Sequence, residues 1–222
     1  MFPVKVTQPS YSRPAITVLL IAVNLMVYFH EFWLQLVDPY SLNYFIRLYA
    51  LRPANFHLEN LFTHMFLHAG WMHVLGNMLF LWVFGDNVED ILGHGKYLLF
   101  YLLCGLAAGL TQLAIDPYSR IPILGASGAI AGVMGAYLVK FPRSEVKMAG
   151  WFLFIFTFDL PAWAMLIYWF GLQLFGGVGS VSEPSQGGTA FFAHIGGFIT
   201  GIVLIHVLGT RPRYWRRKDL VW

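Results

Sequence analysis

Three kinds of side chain in this sequence could combine into one piece of chemistry. Ser127 lies in Gly125-Ala126-Ser127-Gly128-Ala129, at the mouth of the apolar run that continues to Val139. His194 opens another apolar run, and His73 and Asn77 stand four residues apart at the start of a third. A serine hydroxyl becomes a useful nucleophile when an imidazole takes its proton. An acyl-transfer centre also needs hydrogen-bond donors where negative charge develops on the carbonyl oxygen. The Asn77 amide, the His73 ring and the backbone N–H of Ser127, left without a helical partner at a helix start, could supply them. Each group has a plainer reading, and for Gly-Ala-Ser-Gly-Ala it is close packing of small residues between membrane helices. The motif is also not the Gly-x-Ser-x-Gly elbow that joins a strand to a helix.

The elements that must position these groups are membrane spans. Of the 222 residues 58% are hydrophobic, 18% aromatic and 11% charged, against roughly 25% charged in soluble domains. Apolar stretches of spanning length run over residues 15–29, 71–84, 97–115, 126–139, 161–178 and 190–208. Six spans are therefore expected, forming an all-α polytopic helical bundle within a single membrane domain. Residues 1–14 are its lead, 15–209 the core and 210–222 a basic tail. No small-residue cleavage site follows the first run, which reads as a retained span. The apolar stretch 148–158 is too short to cross, and an interfacial segment leading into the fifth span is expected there.

Orientation follows from the basic residues. With the N-terminus inside, 11 of the 14 Lys and Arg fall on inner segments: Lys5, Arg13, Lys96, Lys140, Arg143, Lys147 and five in the tail. The net charge of +3 is thus a topology signal and no nucleic-acid patch. Both termini are expected in the cytoplasm, and the second, fourth and sixth spans then enter from the outer face. Ser127, His194 and the His73/Asn77 pair, far apart in sequence, come to one outer depth. Polar groups inside a membrane are costly and by default face the bundle interior.

The fourth span is short. Residues 126–140 make a helix of about 22 Å against a hydrocarbon core of about 30 Å, which sets Ser127 below the outer surface in a cavity open to the outside. Ser127, Ala131 and Gly135 form one small row on it, beside Gly128, Gly132 and Ala136. Ala193, Gly197 and Gly201 form another on the sixth span. Two such faces packed together would bring Ser127 and His194 within hydrogen-bonding reach. No carboxylate is placed to orient the histidine, so a Ser/His dyad without a third acid is expected. Asp86, Glu89 and Asp90 read as a solvated turn at the inner end of the second span. His64 and His68 lack the glutamate and third ligand of a zinc site, so neither metal nor cofactor is expected. The single cysteine, Cys104, lies in an apolar run and carries no disulfide framework. Residues 30–70 are too long for a turn and, with their aromatics, suggest a helical hairpin in the outer interface. The Gly/Ser-rich stretch 179–188 is expected to be mobile.

At this point the sequence resembles the rhomboid family of intramembrane serine proteases. The matching residues are His68-Ala69-Gly70-Trp71-Met72-His73-Val74-Leu75-Gly76-Asn77, Gly85 with Val88-Glu89, Gly125-Ala126-Ser127-Gly128, and Ala193-His194-Ile195-Gly196-Gly197 with Gly201. The resemblance implies a multi-pass protein of the bacterial inner membrane, its active site opening outward, that cleaves membrane proteins in or near their spanning helices. It gives Ser127 the role of nucleophile and His194 that of base. His73 and Asn77 would be oxyanion donors beside Gly125, Ala126 and the Ser127 amide, while Gly128, Gly197, Gly201, His68 and His64 would be structural. The chain departs from the family pattern in having Glu59-Asn60 where many members carry Trp-Arg, and Ala131 where some place a tyrosine under the histidine ring. Two other classes fit a six-span bundle with a polar centre. A non-catalytic scaffold of the same family would bind spanning helices, although such proteins usually lack the serine or the histidine. A small transporter would be expected to show matched halves or charged midplane residues, and neither is visible.

Overall fold

In a computed structural model, which describes residues 2–151, 155–182 and 190–209, the long apolar runs become helices. They are α1 (Ala15–Val37), α4 (Trp71–Leu92), α5 (His94–Ile115), α6 (Ser127–Lys140), α7 (Ala162–Ser182) and α8 (Phe191–Val207). Among the described residues α1, α5 and the 162–179 part of α7 are long and apolar enough to cross a bilayer on their own. A fourth span arises if the bent pair Asn60–Phe66 and Trp71–Leu92, turned by 96°, counts as one. The remaining two, α6 and α8, are apolar but have only 14 and 17 residues. At 1.5 Å per residue α6 is about 21 Å long, so its head cannot reach both faces of a bilayer.

That short helix is the centre of the bundle. Every residue from Gly128 to Tyr137 is buried, and α6 packs most extensively against α8, then against α5 and α4. The α6–α8 crossing is backbone on backbone. A Cβ added to Gly197 would stand 2.0 Å from the Gly128 carbonyl oxygen, and one added to Gly201 would stand 1.9 Å from that of Gly132. The small rows therefore face each other. Such approach maximises dispersion contact where burial from water supplies no drive.

The segment between α1 and α4 is helical. It holds α2 (Pro39–Tyr49), a 3₁₀ turn at Pro53–Asn55, α3 (Asn60–Thr63) and a second 3₁₀ turn at His64–Phe66. No residue of α2 is buried, which suits a helix lying in an interface with Tyr40 and Tyr44 exposed. Asp38 caps it, accepting from the amides of Tyr40 and Ser41 and from the Ser41 hydroxyl. The Ser41 hydroxyl above all holds this carboxyl below its ordinary range. Asn60, in the departure from the family pattern, is buried and donates its amide to the Ala50 carbonyl. Leu51 and Ile123 exchange two backbone hydrogen bonds, tying this segment to the loop before α6.

Two expectations need correction. In the stretch 148–158 the described residues, 148–151 and 155–158, are strand and not a plain apolar segment: β2 (Glu145–Trp151) and β3 (Ile155–Pro161) pair antiparallel, and β1 (Phe2–Val6) in the lead completes a sheet ordered β1-β2-β3. The all-helical core thus carries a small sheet as an addition. Exposure alternates with period two from Glu145 to Met148, which is a strand signature. Val146 and Met148 join the core while Lys147 faces Asp159 across the pair.

The second correction concerns the acidic end of α4, which is no solvated turn. Glu89 and Asp90 are 0% and 2% exposed. Helix α1 has no side-chain cap of its own; instead Glu89 accepts from the Ile16 amide at 2.9 Å and from the Thr17 amide and hydroxyl at 2.8 Å. His94 Nδ1 lies 2.6 Å from the same carboxylate. Asp90 accepts from the Tyr11 amide and the Ser12 hydroxyl. The donors that a free helix N-terminus directs at water are here directed at the Glu89 carboxylate, while Asp90 holds the segment that leads into α1. Glu89→Ala is expected to lower stability by about 2–4 kcal/mol, because it strands several buried donors at once. Thr17→Val, which removes one donor, should cost about 1 kcal/mol. Denaturation of the purified variants in detergent measures both.

The stretch 179–188 falls partly in α7, which continues to Ser182. Its remainder, like the basic tail 210–222, lies outside the described residues.

Candidate active site

Ser127 is the first residue of α6, and its position is set by the loop before it. Gly125 has φ +125°, a left-handed conformation open to glycine and strained for other residues. Its N–H donates to the His64 carbonyl at 2.9 Å. His64 is itself buried, with its Nδ1 2.7 Å from the Asn60 carbonyl oxygen. The segment of α3 and its following turn thus holds the entrance to α6.

His194 stands in the first turn of α8. The start of that helix is fixed from α5, where Gln112 Oε1 accepts from the Ala193 amide at 3.2 Å. Close approach of the two glycine rows brings His194 Nε2 to 2.7 Å from Ser127 Oγ. The hydroxyl and the imidazole expected to meet do so.

The other ring nitrogen has a partner that the sequence reading missed. His194 Nδ1 lies 2.7 Å from Gln173 Oε1 on α7, and Gln173 Nε2 donates to the Trp169 carbonyl at 3.3 Å. That second bond turns the amide so that its oxygen faces the histidine. An amide oxygen only accepts, so Nδ1 carries the ring proton and Nε2 is left to accept from the serine hydroxyl. Gln173 therefore occupies the place of an orienting carboxylate without bringing a charge. The Trp169 ring packs against the imidazole with centroids 5.8 Å apart, supporting it where Ala131 offers no aromatic surface. A single amide in the apolar stretch 161–178 was the available signal, since a polar group within a span faces the interior by default.

His73 and Asn77 lie on one face of α4, beside the loop that precedes Ser127. A Cβ added at Gly125 would stand 2.8 Å from His73 Nε2 and 3.6 Å from Asn77 Nδ2, so glycine is also required there for space. The Ala69 amide donates to His73 Nδ1 at 3.4 Å, which leaves the ring proton on Nε2, directed at the loop. Asn77 Nδ2 is buried without an acceptor among the described residues. Two donors therefore converge beside Gly125, and the second is unspent. Serine, imidazole and donors together suit nucleophilic attack on a carbonyl with stabilisation of the resulting oxyanion.

Among the remaining residues picked from the sequence, Ala126 is fully buried at the helix head, and Gly128, Gly197 and Gly201 form the α6–α8 contact. His68 is buried with its ring 5.2 Å from that of His73.

A family model described as Rhomboid domain matches residues 55–211, which take in every one of these groups. RHOMBOID-like protein 1 of Arabidopsis thaliana is 35% identical over 155 residues, 69% of this chain and 35% of that protein. Rhomboid protease GluP of Bacillus subtilis is 33% identical over 149 residues, 67% of this chain and 26% of its own length. Rhomboid protease GlpG of Salmonella paratyphi A is 29% identical over 164 residues, 71% of this chain and 52% of its own length. The chain thus matches about half or less of each of these relatives.

Proposed function

Because the chain belongs to the rhomboid family and is an integral, multi-pass membrane protein, we propose that it is an intramembrane serine endopeptidase acting on the spanning or juxtamembrane segments of other membrane proteins. The observation that carries this reading is the 2.7 Å contact between Ser127 Oγ and His194 Nε2, made by residues 67 positions apart. The two relatives with protease in their names support it.

In the proposed reaction a substrate helix unwinds near the outer face and enters beside α7, and small or helix-breaking residues near the cut lower the cost of unwinding. Ser127 Oγ attacks the exposed carbonyl carbon while its proton passes to His194 Nε2. The developing imidazolium keeps its Nδ1–H on Gln173. The oxyanion is held by His73 Nε2–H, the Asn77 amide and the Ser127 N–H. Collapse of the intermediate breaks the C–N bond, and the proton on His194 leaves with the amine. A water molecule then gives its proton to His194 and attacks the acyl-serine, which releases the new carboxyl end and restores the hydroxyl. Every step is served by side chains and backbone of this chain. The topology proposed with it places both termini in the cytoplasm of a bacterial cell and the site near the outer face of its inner membrane.

A fluorophosphonate probe tests the reading directly. It should attach to Ser127 in the purified full chain, located by mass spectrometry, and should fail to attach when His194 is alanine. An unlabelled Ser127, together with specific capture of spanning helices, would favour the non-catalytic scaffold.

Two smaller effects follow. Asn77→Ala should lower kcat on the order of 10²-fold, the usual loss for one oxyanion donor, and should do less damage than loss of the serine because other donors remain. Gln173→Leu, similar in size but without an acceptor, should lower kcat by about tenfold or more with little change in KM, since the imidazole loses the group that sets its tautomer. Steady-state cleavage of a detergent-solubilised single-span substrate reads both.

A further inference from the structure

Outside the Ser127–His194 contact, one buried acid has no part in the proposed reaction. Glu31 lies near the outer end of α1 and is 3% exposed. Its Oε2 accepts from the His68 amide at 3.0 Å, and its Oε1 has no partner among the described residues. The part of α1 that carries it is aromatic: Tyr28, Phe29 and Phe32 pack against Trp71 of α4 at centroid distances of 4.9, 5.6 and 5.2 Å. Burying a carboxyl group with a single bond in such a place costs stability, and an apolar residue of equal size would pack there without that cost. The bond it makes is therefore the feature to explain.

That bond reaches the start of α4. His68 is buried and lies between the 3₁₀ turn ending at Phe66 and the first helical residue, Trp71, where regular structure offers its N–H no acceptor. The next amide, that of Ala69, is the donor that fixes the His73 ring. The carboxylate thus restrains one residue, its neighbour restrains the ring, and the ring directs Nε2–H at the loop before Ser127. The three aromatic contacts to Trp71 hold the same turn from the side.

We propose that Glu31 is a positioning residue for His73, using its carboxylate to hold the turn of residues 67–70 so that the histidine presents Nε2–H to the oxyanion. This inference rests on the peptidase reading. It assigns α1, which supplies no group to the reaction, control over one wall of the site.

The test uses the purified full chain with a single-span substrate and measures kcat and KM separately, together with thermal stability. Glu31→Gln keeps an acceptor at the same reach and should stay within about threefold of wild type, whereas Glu31→Met keeps the length but loses the acceptor and should lower kcat on the order of tenfold with KM unchanged. Glu31→Asp, whose acceptor is withdrawn by one methylene, should fall in the same direction and carries the comparison if the methionine variant does not fold. Placed on a His73→Ala background, Glu31→Met or Glu31→Asp should cost less than about twofold more, because both changes remove the same donor. Full kcat in Glu31→Met and Glu31→Asp, equal losses in the glutamine and methionine variants, or losses that multiply with His73→Ala would each overturn the proposal. Wild-type protein that neither cleaves nor takes the fluorophosphonate label would instead overturn the peptidase reading itself.

Discussion

Ser127→Ala is expected to abolish cleavage of a single-span substrate, with a loss of at least about 10³-fold in kcat, and His194→Ala is expected to do the same. The two groups act as one unit: the hydroxyl is a poor nucleophile while protonated, and the imidazole has nothing to activate once the hydroxyl is gone. The double variant should therefore be no worse than either single one, since non-additivity is the signature of residues sharing one proton. Substrate binding should survive, so KM or capture of the uncut substrate by Ser127→Ala should stay near wild type. Ser127 lies at a helix start where alanine is tolerated, and folding should be intact by thermal denaturation. Cleavage by both variants at wild-type rates would remove the hydroxyl and the imidazole from the chemistry altogether.

The second large effect is on the fold. Gly201→Val should prevent accumulation of folded protein, and Gly201→Ala should cost about 3 kcal/mol, the upper end of the usual overpacking range. The reason lies in what the new carbon would meet. A Cβ at Gly201 would stand 1.9 Å from the Gly132 carbonyl oxygen and 2.6 Å from both its carbonyl carbon and Cα. All three are backbone atoms, which cannot swing away as the tip of a side chain can, so α6 and α8 would have to separate. Separation at this level also opens the Ser127–His194 contact two turns away, and surviving Gly201→Ala protein should lose labelling of Ser127 by the fluorophosphonate. Gly76→Ala is the control. Among the described residues nothing lies within 4 Å of its added carbon, and in a helix interior the change should stabilise by up to about 1 kcal/mol. Equal stability losses at positions 76 and 201, read from denaturation in the same detergent, would mean that the backbone approach is not what limits substitution.

Much of the centre was legible in the chain. The small rows on the fourth and sixth spans announced a close crossing, and charge placement led to the expectation that Ser127, His194, His73 and Asn77 share one depth. Those signals are one-dimensional. A four-residue repeat of glycine and alanine declares a face, and a polar group in an apolar run declares that it must point inward. The errors came where the partner lay elsewhere in the chain. Asp86, Glu89 and Asp90 look solvated as a local sequence, yet Glu89 is sealed by α1, some 72 residues earlier. The stretch 148–158 reads as apolar length alone, while β2 and β3 pair with each other and β2 also pairs with β1, more than 130 residues away.

What the sequence by itself determined is a membrane bundle in which two small-faced helices carry a serine and a histidine and a third helix carries His73 and Asn77, because composition and periodicity act within each segment and do not depend on its neighbours. What only the tertiary structure decided is who completes each group: Gln173 rather than an acid on His194, Glu89 on the amides of α1, Glu31 on the turn before His73. A buried polar atom takes whichever partner the packing brings within about 3 Å, and a linear sequence does not contain that distance.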